Sequence, residues 1–200
     1  MRLLVFVFTA ALLFASAGCY EDVSVADQAD VLPRVAVLTA DGFHDGETLS
    51  PLGYLKTRGA EVLVVGMERG EVKAYNSDVT VFIEKAVHEV SVSDFDAVVI
   101  PGGRAPAALR ENEGVLAFVR EAYAAGKIIA GICHGPQVMA SAGILEGKTA
   151  TCVAGISGEL EEAGADYRDE ELVRDGNIIT SRVPRDIPAF NRAIGDALFK

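Results

Sequence analysis

The feature that most constrains this chain is an apolar run that ends in a cysteine flanked by glycines. Residues 127–132 predict a short buried strand, and Cys133 then stands between Gly131 and Gly135. The spacing Gly-x-nucleophile-x-Gly is typical of a nucleophile elbow, where a strand turns into a helix so tightly that only glycine leaves room on either side. The positive N-terminus of that helix would favour a thiolate. The alternative is a buried structural cysteine, since free cysteines often lie in cores.

Length and composition set the outer bounds. The chain has 200 residues, half of them apolar, which is enough for one domain with a sizeable core. Its formal net charge of −11, with no basic run, argues against a nucleic-acid partner. Three cysteines are too few for a disulfide framework, and no His/Cys cluster indicates a metal site. We therefore expect no metal and no cofactor, and we expect Cys152, on an apolar run, to be a core residue.

The first 18 residues are typical of an export signal rather than part of the fold. Arg2 supplies a positive charge, and residues 3–14 are apolar, uncharged and too short to span a bilayer. Residues 15–19 read Ala-Ser-Ala-Gly-Cys, a small-residue cleavage region. This pattern predicts an exported protein.

Two processing routes fit that region. Signal peptidase would cleave after Ala17, whereas a bacterial lipoprotein pathway would make Cys19 the lipidated N-terminus. We favour lipidation, because a cysteine directly after Ala-Gly is otherwise unexplained. Residues 19–32 are acidic and read as a solvated tether, so residues 33–200 form the predicted domain. The expected location is the periplasm or the cell envelope, with membrane anchoring through Cys19.

The folded part alternates strand and helix patterns. Apolar runs at 34–39 and 61–66 flank a helical pattern that opens at Glu47, which indicates a βαβ unit and a parallel sheet. Further strands are predicted at 96–100 and 148–153, and further helices at 105–110, 113–125, 135–142, 158–163 and 187–199. Hairpins are expected at 71–83, at the sheet edge, and at 172–180, around an Asp-Gly turn. Together these elements predict a flavodoxin-like, doubly wound, mostly parallel α/β sheet with helices on both faces.

In such sheets, sites form beyond the C-terminal ends of the strands. Residues 39–47, residues 101–106 and the elbow all fall at that rim. Glu47 is the candidate proton partner of the thiol: protonated, it donates to a thiolate, and ionised, it accepts the thiol proton. The alternative role for Glu47 is that of an acid at a helix N-terminus, favoured by the helix dipole.

His134 is the second candidate at the elbow. Neighbouring side chains of a regular helix do not face each other, but the elbow turn can bring His134 beside the thiol. The backbone N–H groups of Gly103 and His134, with Gly102 in the same turn, are candidates to hold a developing oxyanion. These glycines alternatively serve only to turn the chain. His44, in a rim loop, and His88, beyond the first hairpin, are weaker candidates.

Four segments of the chain together resemble the DJ-1/PfpI family, namely residues 41–47, 101–106, 131–136 and 180–186. The likeness covers residues 33–200 and is closest to the PfpI-type branch of cysteine peptidases and deglycases. It implies a flavodoxin-like sandwich similar to class I glutamine amidotransferases, in homodimers or larger rings. It also implies a reactive Cys133 on an elbow, contacted by Glu47 and accompanied by His134.

Two features depart from the family's pattern. In members proposed as peptidases, a glutamate just after the Gly-Gly-x-x-Pro segment is lent across a subunit interface to orient the histidine. The matching position here is Ala107, and Glu111 and Glu113 are out of register. The branch is also usually cytoplasmic, whereas this chain carries an export pattern. The first departure weakens the peptidase hypothesis.

The leading hypothesis is a cofactor-independent enzyme of glyoxalase or deglycase type that acts on small reactive aldehydes through Cys133. The second is a cysteine peptidase or amidase acting on peptides, because the same elbow and oxyanion donors serve acyl transfer. A third is a redox-sensing or stress-protective module whose Cys133 oxidises to sulfinate. The last is a binding module with a vestigial elbow.

Overall fold

The structure is a computed structural model, and it describes residues 32–199. The predicted export signal, Cys19 and nearly all of the predicted tether lie outside the described residues. The strands are β1 (Arg34–Leu38), β2 (Glu61–Gly66), β3 (Gly70–Lys73), β4 (Thr80–Ile83), β5 (Lys85–Ala86), β6 (Ala97–Ile100), β7 (Ile128–Ile132), β8 (Thr149–Ala150), β9 (Asp166–Tyr167), β10 (Leu172–Asp175) and β11 (Ile178–Ser181). The helices are α1 (Asp45–Thr57), α2 (Ala105–Leu109), α3 (Glu113–Ala124), α4 (Pro136–Ser141), α5 (Ser157–Glu162) and α6 (Ile187–Leu198).

Seven of these strands form the central sheet, in the order β10-β11-β7-β6-β1-β2-β5. Strand β10 runs antiparallel to β11, and the other pairs are parallel. Strand β2 lies on one side of β1 and β6 lies on the other, so the direction of winding reverses at β1. The C-terminal ends of β1 and β6 therefore flank the crevice in which open α/β sheets place their sites.

The sheet separates two apolar cores. On one face, Leu55 of α1 and Phe190 and Ile194 of α6 pack against side chains of the central strands. On the other face, Val119 of α3 and Met139 of α4 belong to a second, larger cluster. Strands buried on both sides explain the continuous apolar runs in the sequence. The predicted flavodoxin-like sandwich with helices on both faces is confirmed.

The strand predicted at residues 148–153 is wrong over most of its length. Only β8 is regular there, and it pairs with β9 in a separate two-stranded sheet. Beyond β8 the backbone amides no longer bond to a neighbouring strand in a regular pattern. The N–H of Thr151 donates to a threonine hydroxyl of β11, and the N–H of Val153 donates to the carbonyl oxygen of Cys133. The segment therefore crosses behind the elbow. Cys152 within it is fully buried in the core, as predicted.

The predicted hairpins both exist, although the first stands apart from the main sheet. Strands β3 and β4 pair only with each other, and β5 forms the sheet edge instead. The hairpin's connecting loop is tied to the loop after β1, because the amide of Tyr75 donates to the carbonyl oxygen of Phe43 at 3.0 Å. The hairpin thus helps to build the rim of the crevice. No helix among residues 32–199 is both long enough and apolar enough to span a membrane.

Candidate active site

The turn between β7 and α4 is the predicted nucleophile elbow. Cys133, the residue after the last one of β7, has a φ of 61°, and no other non-glycine residue in the described range has a positive φ. Such a left-handed conformation costs on the order of 1–3 kcal/mol for a residue with a side chain. It persists only where the surrounding structure enforces it, and such strain is concentrated at functional sites.

The two glycines that flank Cys133 are required by close packing. A Cβ atom on Gly135 would overlap the carbonyl oxygen of Ile100 at the end of β6. A Cβ atom on Gly131 would lie 2.7 Å from the sulfur of Met139 in α4. The amide of Cys133 itself donates to the carbonyl oxygen of Ser181 in β11 at 3.0 Å. Strands β6 and β11 and helix α4 together hold the elbow.

Glu47 projects from the first turn of α1 into this elbow. Its side chain has no solvent exposure, and its Oε2 accepts the backbone N–H of Gly102 at 3.0 Å. The carboxyl group lies beside Cys133, because a Cβ atom on Gly102 would be 2.5 Å from Oε2 of Glu47 and 2.6 Å from the Cβ of Cys133. Glu47 is therefore a buried partner of the sulfur, and its position is not that of an exposed acid serving only the helix dipole.

Burial makes both Glu47 and Cys133 hold protons tightly. Burial raises the pKa of Glu47, an effect only partly offset by the nearby His44 and by the Gly102 amide. Burial, reinforced by an ionised Glu47, raises the pKa of the Cys133 thiol to about 12, although the amides of Gly103 and His134 lower it. Two negative charges in contact in a buried site repel each other strongly. The pair therefore keeps at least one proton at neutral pH, on the carboxyl group or on the sulfur.

His134 lies on the other side of the thiol. Its Nδ1 is 3.2 Å from the Sγ of Cys133, and its ring is partly exposed. Burial lowers the pKa of His134, and the carboxylate of Glu159 partly offsets this. The imidazole is accordingly neutral at physiological pH, the form that can accept a proton.

Two backbone amides point at the sulfur. The N–H groups of Gly103 and His134 lie close enough to the sulfur to stabilise a thiolate, and they lower the pKa of Cys133. Gly103 reaches this position with a φ of 89°, in a bridge to Phe43. The prediction that groups Gly102 with the oxyanion donors is wrong for its N–H, because this N–H donates to the carboxylate of Glu47. Gly102 instead fixes that carboxylate in place.

The two weaker histidine candidates, His44 and His88, lie in different parts of the structure. His44 lies at the rim, with its Nδ1 3.4 Å from a carboxylate oxygen of Asp45 and its ring edge-on to Tyr75. His88 is exposed in the short 3₁₀ turn Val87–Glu89, on a segment that packs against α3. The structure does not bring His88 to the elbow.

Sequence reasoning missed one acid near His134. Glu159 of α5 accepts from the side-chain amide of Gln137 at 2.8 Å and pairs with Arg110. Its carboxylate is the one whose charge acts on His134. The sequence spacing between Glu159 and the elbow does not indicate this proximity to His134, because the proximity depends on how α5 packs against α4. Ala107 is exposed on α2.

Among residues 32–199, no group of three or more His, Cys, Asp or Glu side chains is placed to hold a metal ion. The chemical groups gathered at the elbow are a thiol, a buried carboxyl, an imidazole and two amide donors. Together with the sheet, they define a flavodoxin-like domain with a cysteine nucleophile elbow.

Comparison with known proteins gives the family. The chain belongs to the DJ-1/PfpI family, whose profile matches residues 33–197. It is 43% identical to a deglycase of Pyrococcus abyssi over 159 residues, which is 80% of this chain and 95% of the relative. It is 38% identical to protein/nucleic acid deglycase 2 of Escherichia coli over 161 residues, 80% of this chain and 94% of the relative.

A solved structure agrees with the fold. The chain resembles a two-domain protein of Anabaena variabilis, with DJ-1/ThiJ/PfpI-like and ferritin-like domains, at a TM-score of 0.82 and 42% identity. The match covers 83% of this chain and 48% of the Anabaena chain.

Proposed function

We propose that the protein is a cofactor-independent deglycase of the DJ-1/PfpI type, with glyoxalase activity on methylglyoxal. The observation that carries the proposal is the strained Cys133, whose sulfur lies 3.2 Å from the His134 imidazole and close enough to the Glu47 carboxyl and to two backbone amides for them to shift its pKa. Deglycase relatives that align along nearly their whole length support it.

The first chemical step is addition of the thiolate to the aldehyde carbon. The shared proton moves to the carboxyl of Glu47, and the sulfur forms a bond to carbon while the C=O π pair moves onto oxygen. The N–H groups of Gly103 and His134 lie beside the sulfur and so next to that oxygen, where they stabilise its developing charge. Protonation of the oxygen gives a hemithioacetal.

The second step moves a proton between carbons. His134 is partly exposed and adjacent to the sulfur, so its neutral ring is placed to take the C1 proton of the hemithioacetal and return it at C2. The product is a lactoyl thioester, and water then releases lactate and the thiol. Glu47 is fully buried and is therefore restricted to the proton of the sulfur.

The same steps serve a methylglyoxal adduct of an amine or thiol. Loss of the amine or thiol from its hemiaminal or hemithioacetal exposes the aldehyde carbon to Cys133. The released group leaves with a proton, and the remaining three-carbon unit leaves as lactate. Repair of the modified group and consumption of the aldehyde are then one activity.

The test is lactate formation from methylglyoxal by purified protein. We expect Cys133→Ser to lower kcat/KM by at least about 100-fold, because the hydroxyl is a far weaker nucleophile without a strong base. Cys152→Ser is the matched control, because it changes a buried cysteine in the core, and it should retain the activity. Turnover that survives Cys133→Ser unchanged would remove the proposal.

A cysteine peptidase or amidase is the second candidate, since an elbow nucleophile with two amide donors is equally suited to acyl transfer. Against it stands Ala107, which offers no acid to a neighbouring histidine. Peptide hydrolysis by the purified protein that depends on Cys133 and increases in Ala107→Glu would favour this candidate. The absence of hydrolysis in both proteins would count against it.

We also propose that the chain is exported, lipidated at Cys19 and assembled as a homo-oligomer. These proposals rest on the sequence pattern before residue 32 and on the family resemblance. The intact mass of protein from the membrane fraction tests lipidation, and a mature chain that starts at an unmodified Gly18 would contradict it. Sedimentation velocity tests the oligomeric state, and a monomer at micromolar concentration would contradict it.

A further inference from the structure

Three loops are stacked at the rim beside the elbow. Phe43, in the loop after β1, bridges to Gly103 on one side and to Ala74 of the hairpin on the other. These bridges bring the residues that follow, Arg104 and Tyr75, to neighbouring positions on the surface. Because Gly103 supplies an amide to the sulfur, Arg104 is one residue away from the oxyanion donors.

The side chains of Arg104 and Tyr75 form a stack. The guanidinium carbon of Arg104 lies 5.2 Å from the centre of the Tyr75 ring, and both side chains are exposed. The Arg104 amide donates to the carbonyl oxygen of Gly42 at 2.8 Å, and its Cβ packs over the Gly42 Cα. The ring of His44 also packs against Tyr75, with the ring centres 5.8 Å apart and the planes at 72°. The guanidinium is therefore held in place by its aromatic support.

Two acids of the neighbouring loops are bound to other groups. Asp41 accepts the backbone N–H of Lys73, and Asp45 accepts from Asn76. Among the described residues, Arg104 forms no salt bridge within 4.0 Å, although the whole chain has a net charge of −11. A guanidinium stacked on an aromatic ring keeps its N–H edge free for a planar anion.

We propose that Arg104, supported by Tyr75, binds a carboxylate that the substrate carries near its reactive carbon. The substrate class is then an anionic aldehyde or an aldehyde adduct with a free carboxylate. The inference rests on the proposed function for its physiological meaning, but the carboxylate site itself is testable without turnover.

The direct test compares two alkylating reagents at Cys133 that differ only in charge. Iodoacetate and iodoacetamide both form a bond from sulfur to the CH₂ carbon while iodide leaves, but only iodoacetate carries a carboxylate there. We expect Arg104→Gln to slow alkylation by iodoacetate about 5- to 10-fold, a typical loss for a charged hydrogen bond. The rate with iodoacetamide should change less than twofold. Peptide mass spectrometry assigns the label to Cys133.

Arg69→Gln is the matched control, because Arg69 is an exposed arginine paired with Glu89 on another part of the surface. It should leave the ratio of the two rates as in the wild type. Arg104→Lys keeps the positive charge but loses the paired N–H groups of the guanidinium. Its ratio of the iodoacetate rate to the iodoacetamide rate should therefore lie between those of the wild type and Arg104→Gln. Tyr75→Leu should move the ratio in the same direction as Arg104→Gln. Equal ratios in wild type and in a folded Arg104→Gln protein would overturn the inference.

A kinetic comparison connects the site to turnover. The hemithioacetals of methylglyoxal with N-acetylcysteine and with N-acetylcysteine amide differ only by a carboxylate. The wild type should process the first with a higher kcat/KM, and Arg104→Gln should abolish the preference. Equal kcat/KM for both in the wild type contradicts the inference, whereas no turnover of methylglyoxal itself contradicts the proposed function.

Discussion

The Sγ atom of Cys133 and the Nδ1 atom of His134 lie 3.2 Å apart, although the two residues are neighbours in the chain. In a regular helix or strand, successive side chains point in different directions. The left-handed backbone at Cys133, with a φ of 61°, departs from both regular conformations, and the two side chains meet at this turn. The thiol and its candidate base are thus positioned by a single strained residue.

The strain at Cys133 predicts that glycine at this position gives a more stable protein than alanine, the reverse of the usual order. Both Cys133→Ala and Cys133→Gly remove the thiol, but only glycine adopts the left-handed conformation freely. We expect the glycine variant to have a free energy of unfolding about 1–2 kcal/mol higher than the alanine variant. At Cys152, which has no positive φ, alanine should instead be more stable than glycine by about 0.5–1 kcal/mol. Urea unfolding measures both pairs, and the same order at both positions would contradict the strained elbow.

The shared proton predicts an unusual pH profile for alkylation by iodoacetamide. Between the raised pKa of Glu47 and that of Cys133 at about 12, the pair holds one proton, and the fraction of thiolate is set by how that proton divides. The wild-type rate should therefore be nearly flat with pH in this range. In Glu47→Gln the thiol titrates alone, so the rate should rise about tenfold per pH unit below its pKa. Identical profiles would show that the two groups do not share a proton.

Burial of Glu47 also predicts how stability depends on pH. The folded protein binds the Glu47 proton more tightly than the unfolded chain does, because burial raises the pKa of Glu47 above the ordinary 4.5. The folded state therefore loses stability as the pH rises from about 4.5 through that raised pKa. Glu47→Gln carries no such proton, so its free energy of unfolding relative to wild type should increase over the same range.

Denaturant unfolding at a series of pH values tests this prediction. Glu121→Gln provides the matched control, because Glu121 is exposed on α3. Its difference from wild type should stay constant across the range. A constant difference for Glu47→Gln as well would mean that the carboxyl is not desolvated.

Gly102 predicts a steric effect on the site. A Cβ atom there would lie 2.5 Å from Oε2 of Glu47 and 2.6 Å from the Cβ of Cys133. Gly102→Ala should therefore displace both groups, lower kcat at least about tenfold and destabilise the fold by about 1–3 kcal/mol. Gly53→Ala, in α1 with nothing within 4 Å of the new methyl group, should instead stabilise by about 0.5–1 kcal/mol. A Gly102→Ala protein with wild-type kinetics would show that the contact can relax.

Much of this architecture could be predicted from local patterns. The parallel strands are continuous apolar runs because both faces of the sheet are covered, and the elbow is marked by glycines whose Cβ atoms have no room. Strand β2 occurs at residues 61–66 as predicted, and the helix containing Glu47 begins at Asp45, two residues early. The chain order of the loops after β1, β6 and β7 was enough to bring Glu47, Gly103 and Cys133 together.

What escaped prediction depends on contacts between distant segments. Residues 148–153 are as apolar as a strand, but their amides bond to β11 and to the elbow rather than to a ladder. The approach of Glu159 toward His134 follows from how α5 packs on α4, which no periodicity encodes. The stacking of Arg104 on Tyr75 likewise requires two loops that are far apart in sequence to meet over Phe43.

The left-handed backbone at the elbow also limits which nucleophile position 133 can carry. A β-branched side chain is a genuine outlier at such a φ, so threonine is excluded on steric grounds. Serine is the hydroxyl-bearing replacement that the backbone accommodates in the same way as cysteine. Substitutions at position 133 that keep this backbone are therefore confined to unbranched side chains, and any other change in the chemistry of the site requires changes in the residues around the sulfur.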